Sequence, residues 1–132
     1  MIIQTAAAEA GGEEEKNMGG RVAITVTRQG EGMQALMDSR FGRAEAFLVV
    51  DRETGKVVET IENASVAASH GAGTAAANTM RSGGIQVVIS GRFGPKAFDA
   101  LRALGIETWV APPGITAGEA LRMLEDGGLE QM

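Results

Sequence analysis

Arginine and glycine fall together at separated places in this sequence. Ser39-Arg40-Phe41-Gly42-Arg43 and Ser90-Gly91-Arg92-Phe93-Gly94-Pro95 each set arginine beside glycine and phenylalanine, and His70-Gly71-Ala72-Gly73 places the single histidine before two glycines. A guanidinium offers a fork of N–H donors to an anion, and glycine lets backbone come close to a guest. Arg28 and Lys96 lie in or beside the same loops, with only Glu31 and Asp38 opposing them. The chemistry implied is the holding of an anion. The plainer alternative is that loop arginines stay solvated and the glycines serve packing. His70 reads as a metal ligand or a donor to an anionic ligand, or simply as a residue at the start of a helix. Met33 and Met37, four apart, could offer soft thioethers to copper or could pack.

Other chemistries lack their residues. There is no cysteine, so disulfides, thiolate metal ligands and thiol catalysis are excluded. No GxxxxGK[ST] loop is present and no GxGxxG follows a strand, which leaves nucleotide binding weakly supported. The first strand, Arg21 to Thr27, carries no carboxylate, so the acidic cluster of a two-metal nuclease cannot be assembled. No serine, histidine and acid constellation can be put together either. The expectation is a binding protein and not an enzyme.

These loops need elements to position them. Val22, Ile24 and Val26 alternate with Ala23 and Thr25 as a strand does. A long polar loop follows over 28–43, of a length that is functional or mobile in a compact domain. Ala46 to Val50 is a buried strand, Asp51 to Gly55 a hairpin turn, and Lys56 to Glu62 the partner strand. Beyond it the spacing predicts a small-residue helix over 70–81, a strand over 85–89, a helix over 95–104 with Pro95 in its first turn, a strand over 106–110, and a helix over 116–126 opened by a Thr116–Glu119 capping box. In chain order this is β1-β2-β3-α1-β4-α2-β5-α3. The hairpin and right-handed crossovers predict an α/β fold: a ribonuclease-H-like mixed five-stranded sheet of order 3-2-1-4-5, helices on both faces. Loops 27–44, 63–70, 90–95 and 111–116 then gather at one edge of the sheet. Three helix N-termini open there, where open α/β sheets bind ligands and where an anion is favoured.

Length and charge set the bounds. The chain has 132 residues, room for one domain. Residues 1–20 are rich in Ala, Glu and Gly and read as a disordered N-terminal tail, leaving 21–132 as one α/β domain. Of 12 basic and 17 acidic residues the tail holds Lys16 against Glu9, Glu13, Glu14 and Glu15, so the rest carries 11 against 13. A near-neutral domain does not recommend nucleic acid as a partner. No apolar run approaches the ~18 residues of a membrane span, and no signal peptide is legible. A cytoplasmic protein without nucleic-acid or membrane partners is expected.

The blocks Ser39-Arg40-Phe41-Gly42-Arg43-Ala44 with Phe47 to Asp51, Ile61-Glu62-Asn63 with His70-Gly71-Ala72-Gly73, Val87 to Phe98, Gly105-Ile106 and Gly114-Ile115-Thr116 resemble, in order and spacing, the dinitrogenase iron–molybdenum cofactor biosynthesis family (NifX/NifB C-terminal-like) over residues 21–128. The resemblance implies the ribonuclease-H-like fold and non-covalent binding or carriage of an anionic metal–sulfur cluster. The absence of cysteine points to the branch that holds a molybdenum–copper–sulfide cluster, with an iron–molybdenum–sulfur precursor as the alternative cargo. The implied cofactor-binding residues are Arg40, Phe41, Gly42, Arg43, His70, Gly71, Ala72, Gly73, Gly91, Arg92, Phe93 and Gly94, with His70 as the implied metal ligand. A protein partner in cluster delivery or in a regulatory complex is also implied. Two other readings stand beside this one. The chain could be an assembly module acting through the 28–43 loop, or an enzyme using the same edge on a small phosphorylated substrate.

Overall fold

The computed structural model describes residues 20–64 and 71–132. Residues 1–19, which hold all but the last residue of the expected tail, and His70 lie outside the described residues. Gly20 already belongs to the folded unit, because its carbonyl accepts the Arg52 N–H at 3.0 Å.

The elements follow in the order β1 (Arg21–Val26), β2 (Ala46–Asp51), β3 (Val57–Glu62), α1 (Ala72–Ser82), β4 (Val87–Ser90), α2 (Pro95–Ala103), β5 (Glu107–Val110), α3 (Ala117–Asp126) and β6 (Glu130–Gln131). One sheet runs β3-β2-β1-β4-β5-β6. β1 lies antiparallel to β2 and parallel to β4, β5 lies parallel to β4, and β3 and β6 pair antiparallel at the two ends. The expected mixed α/β sheet and its order of five strands are present. A sixth strand extends them. It has two residues, too few for any periodicity, and it forms because Leu129 buries its side chain just past Gly127, which closes α3 in the left-handed region (φ 81°).

Strand alternation divides the core between the two faces of the sheet. Val22, Ile24, Val26, Leu48 and Val50 face α3, where Ala117, Ala120, Leu121 and Leu124 cover them. Ala23, Phe47, Val49 and Val88 face the other way, onto Ala76, Ala77 and Met80 of α1 and Leu101 of α2. The small residues of α1 let it lie close to the sheet. Met37 is buried and Met33 packs against the α3-side core, so both thioethers serve packing and copper ligation finds no support there.

The 28–43 segment is fastened along its length rather than free. It holds a single 3-10 turn at Gly32–Gln34, and isolated bridges join Met37 to Val26 and Leu36 to Thr116. Met37 N–H donates to Ile115 O at 2.9 Å, and Asp38 N–H donates to Thr25 O at 2.8 Å. Its buried anchors, Ala35, Met37 and Phe41, are few and separated by exposed Ser39 and Arg40, which is why the sequence reads as open loop.

Candidate anion cleft

Three backbone segments meet at the carboxyl ends of β1 and β4. Residues 40–43 come in before β2, Gly71–Gly73 open α1, and Arg92–Ala97 lead from β4 into α2. Together they enclose a cleft of about 630 Å³. The walls touch through backbone, and glycine makes that contact possible. A Cβ on Gly42 would lie 3.0 Å from Gly73 Cα, and one on Gly73 would lie 2.8 Å from Ala97 Cβ. Phe41 N–H donates to Arg92 O at 3.1 Å and closes the third side. Phe41 and Phe93 are almost wholly buried, their ring centroids 5.4 Å apart, and Phe41 leans in turn on Phe47 at 5.7 Å. Their edges give the cleft an apolar floor.

Two helices point their N-termini into this space. The first backbone bond of α1 runs from Ala75 N–H to Gly71 O, and that of α2 from Phe98 N–H to Gly94 O. The amides of Ala72, Gly73, Thr74, Lys96 and Ala97 precede those bonds and have no acceptor within their helices. Among the described residues no side chain caps either helix. α3 differs. Thr116 N–H donates to Glu119 Oε1 at 2.8 Å and Glu119 N–H to Thr116 Oγ1 at 3.2 Å, a closed capping box. Among the described residues two helix ends therefore remain open to an anion, not the three expected.

The five cations expected at this edge separate by partner. Arg28 donates to Glu62 at 2.5 Å and also approaches Glu45. It lines a second cleft of about 430 Å³ with Asp38, Ser39, Arg40, Glu45 and Gly114. That cleft holds two carboxylates and is unsuited to an anion. The single crevice expected from loops 27–44, 63–70, 90–95 and 111–116 is in fact divided, and loop 111–116 belongs to the second part. Arg40 borders both clefts and is held by the buried Asp38, whose Oδ1 accepts from Arg40 N–H at 3.0 Å and from Nε at 3.3 Å. Among the described residues no carboxylate pairs with Arg92 or Lys96, and both line the first cleft with Arg43.

Of the residues singled out from sequence, Arg40, Phe41, Gly42, Arg43, Gly71, Ala72, Gly73, Arg92, Phe93 and Gly94 come together around this cleft. Gly91 does not line it. A Cβ there would fall 2.8 Å from Ser39 Cα, so this glycine serves the packing of two loops. His70 lies outside the described residues. Sequence reasoning missed Asp38 and Asn63 as supports. Asn63 is buried and donates from Nδ2 to Gly42 O at 3.1 Å and Ala44 O at 2.9 Å. The one signal available was a polar residue directly after the last strand residue of β3. The residues fit a group bound without thiolates: amides, guanidinium and ammonium groups over aromatic surface. Among the described residues no three His, Asp or Glu side chains converge to hold a metal ion, and no helix is long and apolar enough to cross a membrane.

Known proteins share this fold and much of this sequence. The apo form of the orange protein from Desulfovibrio gigas superposes with a TM-score of 0.79 at 41% identity, over 85% of this chain and 92% of that one. A NifB-like protein from Thermotoga gives 0.72 at 34% identity, again over 85% and 92%. A curated Methanocaldococcus jannaschii protein is 32% identical over 97 residues, 72% of this chain and 81% of its own length. The sequence model of the family described as "Dinitrogenase iron-molybdenum cofactor" matches residues 20–127, which span nearly all of the described fold, and the chain belongs to that family.

Proposed function

We propose that the cleft between residues 40–43, 71–73 and 92–97 holds an anionic metal–sulfur cluster as cargo, without covalent attachment and without transforming it. The observation that carries this reading is the pairing of two uncapped helix N-termini with Arg92 and Lys96 over the Phe41–Phe93 floor. Fixed amides and positive side chains favour any anion. The aromatic floor discriminates among anions. A small, strongly hydrated anion loses water against Phe rings with no return, whereas a sulfide-faced cluster is large and polarisable and loses less. A chain without cysteine leaves charge and shape to do the holding. A molybdenum–copper–sulfide cluster fits these demands. An iron–molybdenum–sulfur precursor, to which the family's description points, meets the same ones.

The test is a titration of the purified chain with tetrathiomolybdate and copper(I), followed by visible absorption, beside orthophosphate read by calorimetry. Saturable uptake of the first and none of the second is expected. Arg43→Glu and Arg92→Glu should each weaken uptake by about tenfold or more, the scale of a reversed charge at a partly desolvated contact. Unchanged uptake by both variants removes this site assignment, and tighter binding of phosphate than of the thiometallate removes the cluster.

A further inference from the structure

We infer that Asn63 is a positioning residue for the cleft: its side-chain amide fixes the Gly42–Ala44 turn and thereby aims Arg43. This rests on the cluster-binding reading above and adds the means by which one wall is held. Asn63 stands at the first position beyond β3. Its backbone N–H donates to Glu45 O at 3.2 Å and continues the β2–β3 pairing by one step. At that same point the side chain adds bonds of its own. Nδ2 reaches Ala44 O at 2.9 Å and Gly42 O at 3.1 Å, the two carbonyls that flank Arg43. Ala44 is wholly buried and Asn63 is 6% exposed, so water cannot easily replace this donor. The turn's own closing bond, from Ala44 N–H to Phe41 O, is long at 3.5 Å.

Few side chains can do this. A primary amide presents two N–H groups on one nitrogen. Aspartate, of nearly the same shape, would set oxygen against both carbonyls, and serine offers one donor on a shorter stem. Since Phe41 N–H is bonded to Arg92 O, the front of the turn stays in place when Asn63 changes. The carbonyls that Asn63 holds are those on either side of Arg43.

The experiment is a double-mutant cycle on the full chain, with tetrathiomolybdate and copper(I) as probe and visible absorption as readout. Circular dichroism confirms that each variant is folded. Asn63→Asp should bind about tenfold more weakly. That deficit should vanish in an Arg43→Gln background and persist in an Arg92→Gln background. Asn63→Ser supplies the same cycle if the aspartate variant fails to fold. A deficit of equal size with and without Arg43 would make Asn63 merely structural and overturn the proposal, as would no deficit at all. Arg92→Gln alone separates the two failures. If it weakens uptake while Asn63→Asp does not, only the positioning role falls. If it and Arg43→Gln both leave uptake unchanged, the cleft reading falls and takes this one with it.

Discussion

Arg28 and Arg92 are the same residue type in neighbouring loops, and their surroundings assign them opposite work. Arg28 is exposed and holds Glu62, and the hydrogen bond it donates there is the main reason that the Glu62 carboxyl titrates below its ordinary value. A carboxylate depressed in the fold adds stability above its unfolded pKa, and that stability is lost as pH falls through the folded value. Glu62→Gln should therefore be slightly less stable than the parent at neutral pH, with the difference closing in acid. Urea unfolding of both proteins from neutral down to about pH 2 checks this, and a gap that widened in acid would refute it. The effect is small because both groups face solvent. The sequence could not tell this arginine from Arg92, since Glu62 is 34 residues away from Arg28 along the chain. What was legible was the local company of Arg40, Arg43 and Arg92 with glycine and phenylalanine. Asp38 and Asn63 were not legible as supports, because each is defined by the backbone groups it meets and not by its own neighbours in sequence.

Elements were legible where period and punctuation agree. β1 and β2 alternate or run apolar, Pro95 opens α2, and the Thr116–Glu119 box opens α3, so their placement needed no tertiary information. β6 and the fastened 28–43 segment depend on single buried anchors such as Leu129 and Met37 and leave no pattern. Glycines were legible as close approaches, but not what they approach. The sequence leaves ligand and packing both open, and at Gly42, Gly73 and Gly91 the neighbour is another segment of the chain. Two glycines in one connection should therefore behave differently. Gly91→Ala brings a methyl to 2.8 Å from Ser39 Cα and 3.0 Å from Ser39 O, backbone that cannot turn aside, and should cost about 1–3 kcal/mol as an overpacked contact. Gly94 sits in the extended region (φ −68°, ψ 162°) with open space around its position, and Gly94→Ala should stay within about 0.5 kcal/mol of the parent. Equal urea midpoints for the two variants would show that the β4–α2 connection and the loop at Ser39 can slide apart.

At the scale of the whole molecule the chain is acidic, at −5, while its cleft is built to receive an anion. The positive field there must be local, made by amides and side chains within a few ångströms and not by net charge. The Debye length of about 8 Å at physiological salt screens the distant carboxylates more than it screens contacts inside the cleft. All three walls come from parts far apart in sequence, so the cleft exists only when the sheet is assembled, and an unfolded chain has nothing equivalent to offer. Binding must then appear as stability. With tetrathiomolybdate and copper(I) at about a hundred times the dissociation constant, the unfolding free energy of the full chain should rise by about 2.7 kcal/mol. For Arg92→Glu, weakened about tenfold, the same concentration should add only about 1.4 kcal/mol. Orthophosphate at that concentration should add nothing measurable. Urea unfolding with and without each anion makes the comparison. If the thiometallate stabilised both proteins equally, it would be acting away from the cleft, and the convergence of residues 40–43, 71–73 and 92–97 would be a matter of folding alone.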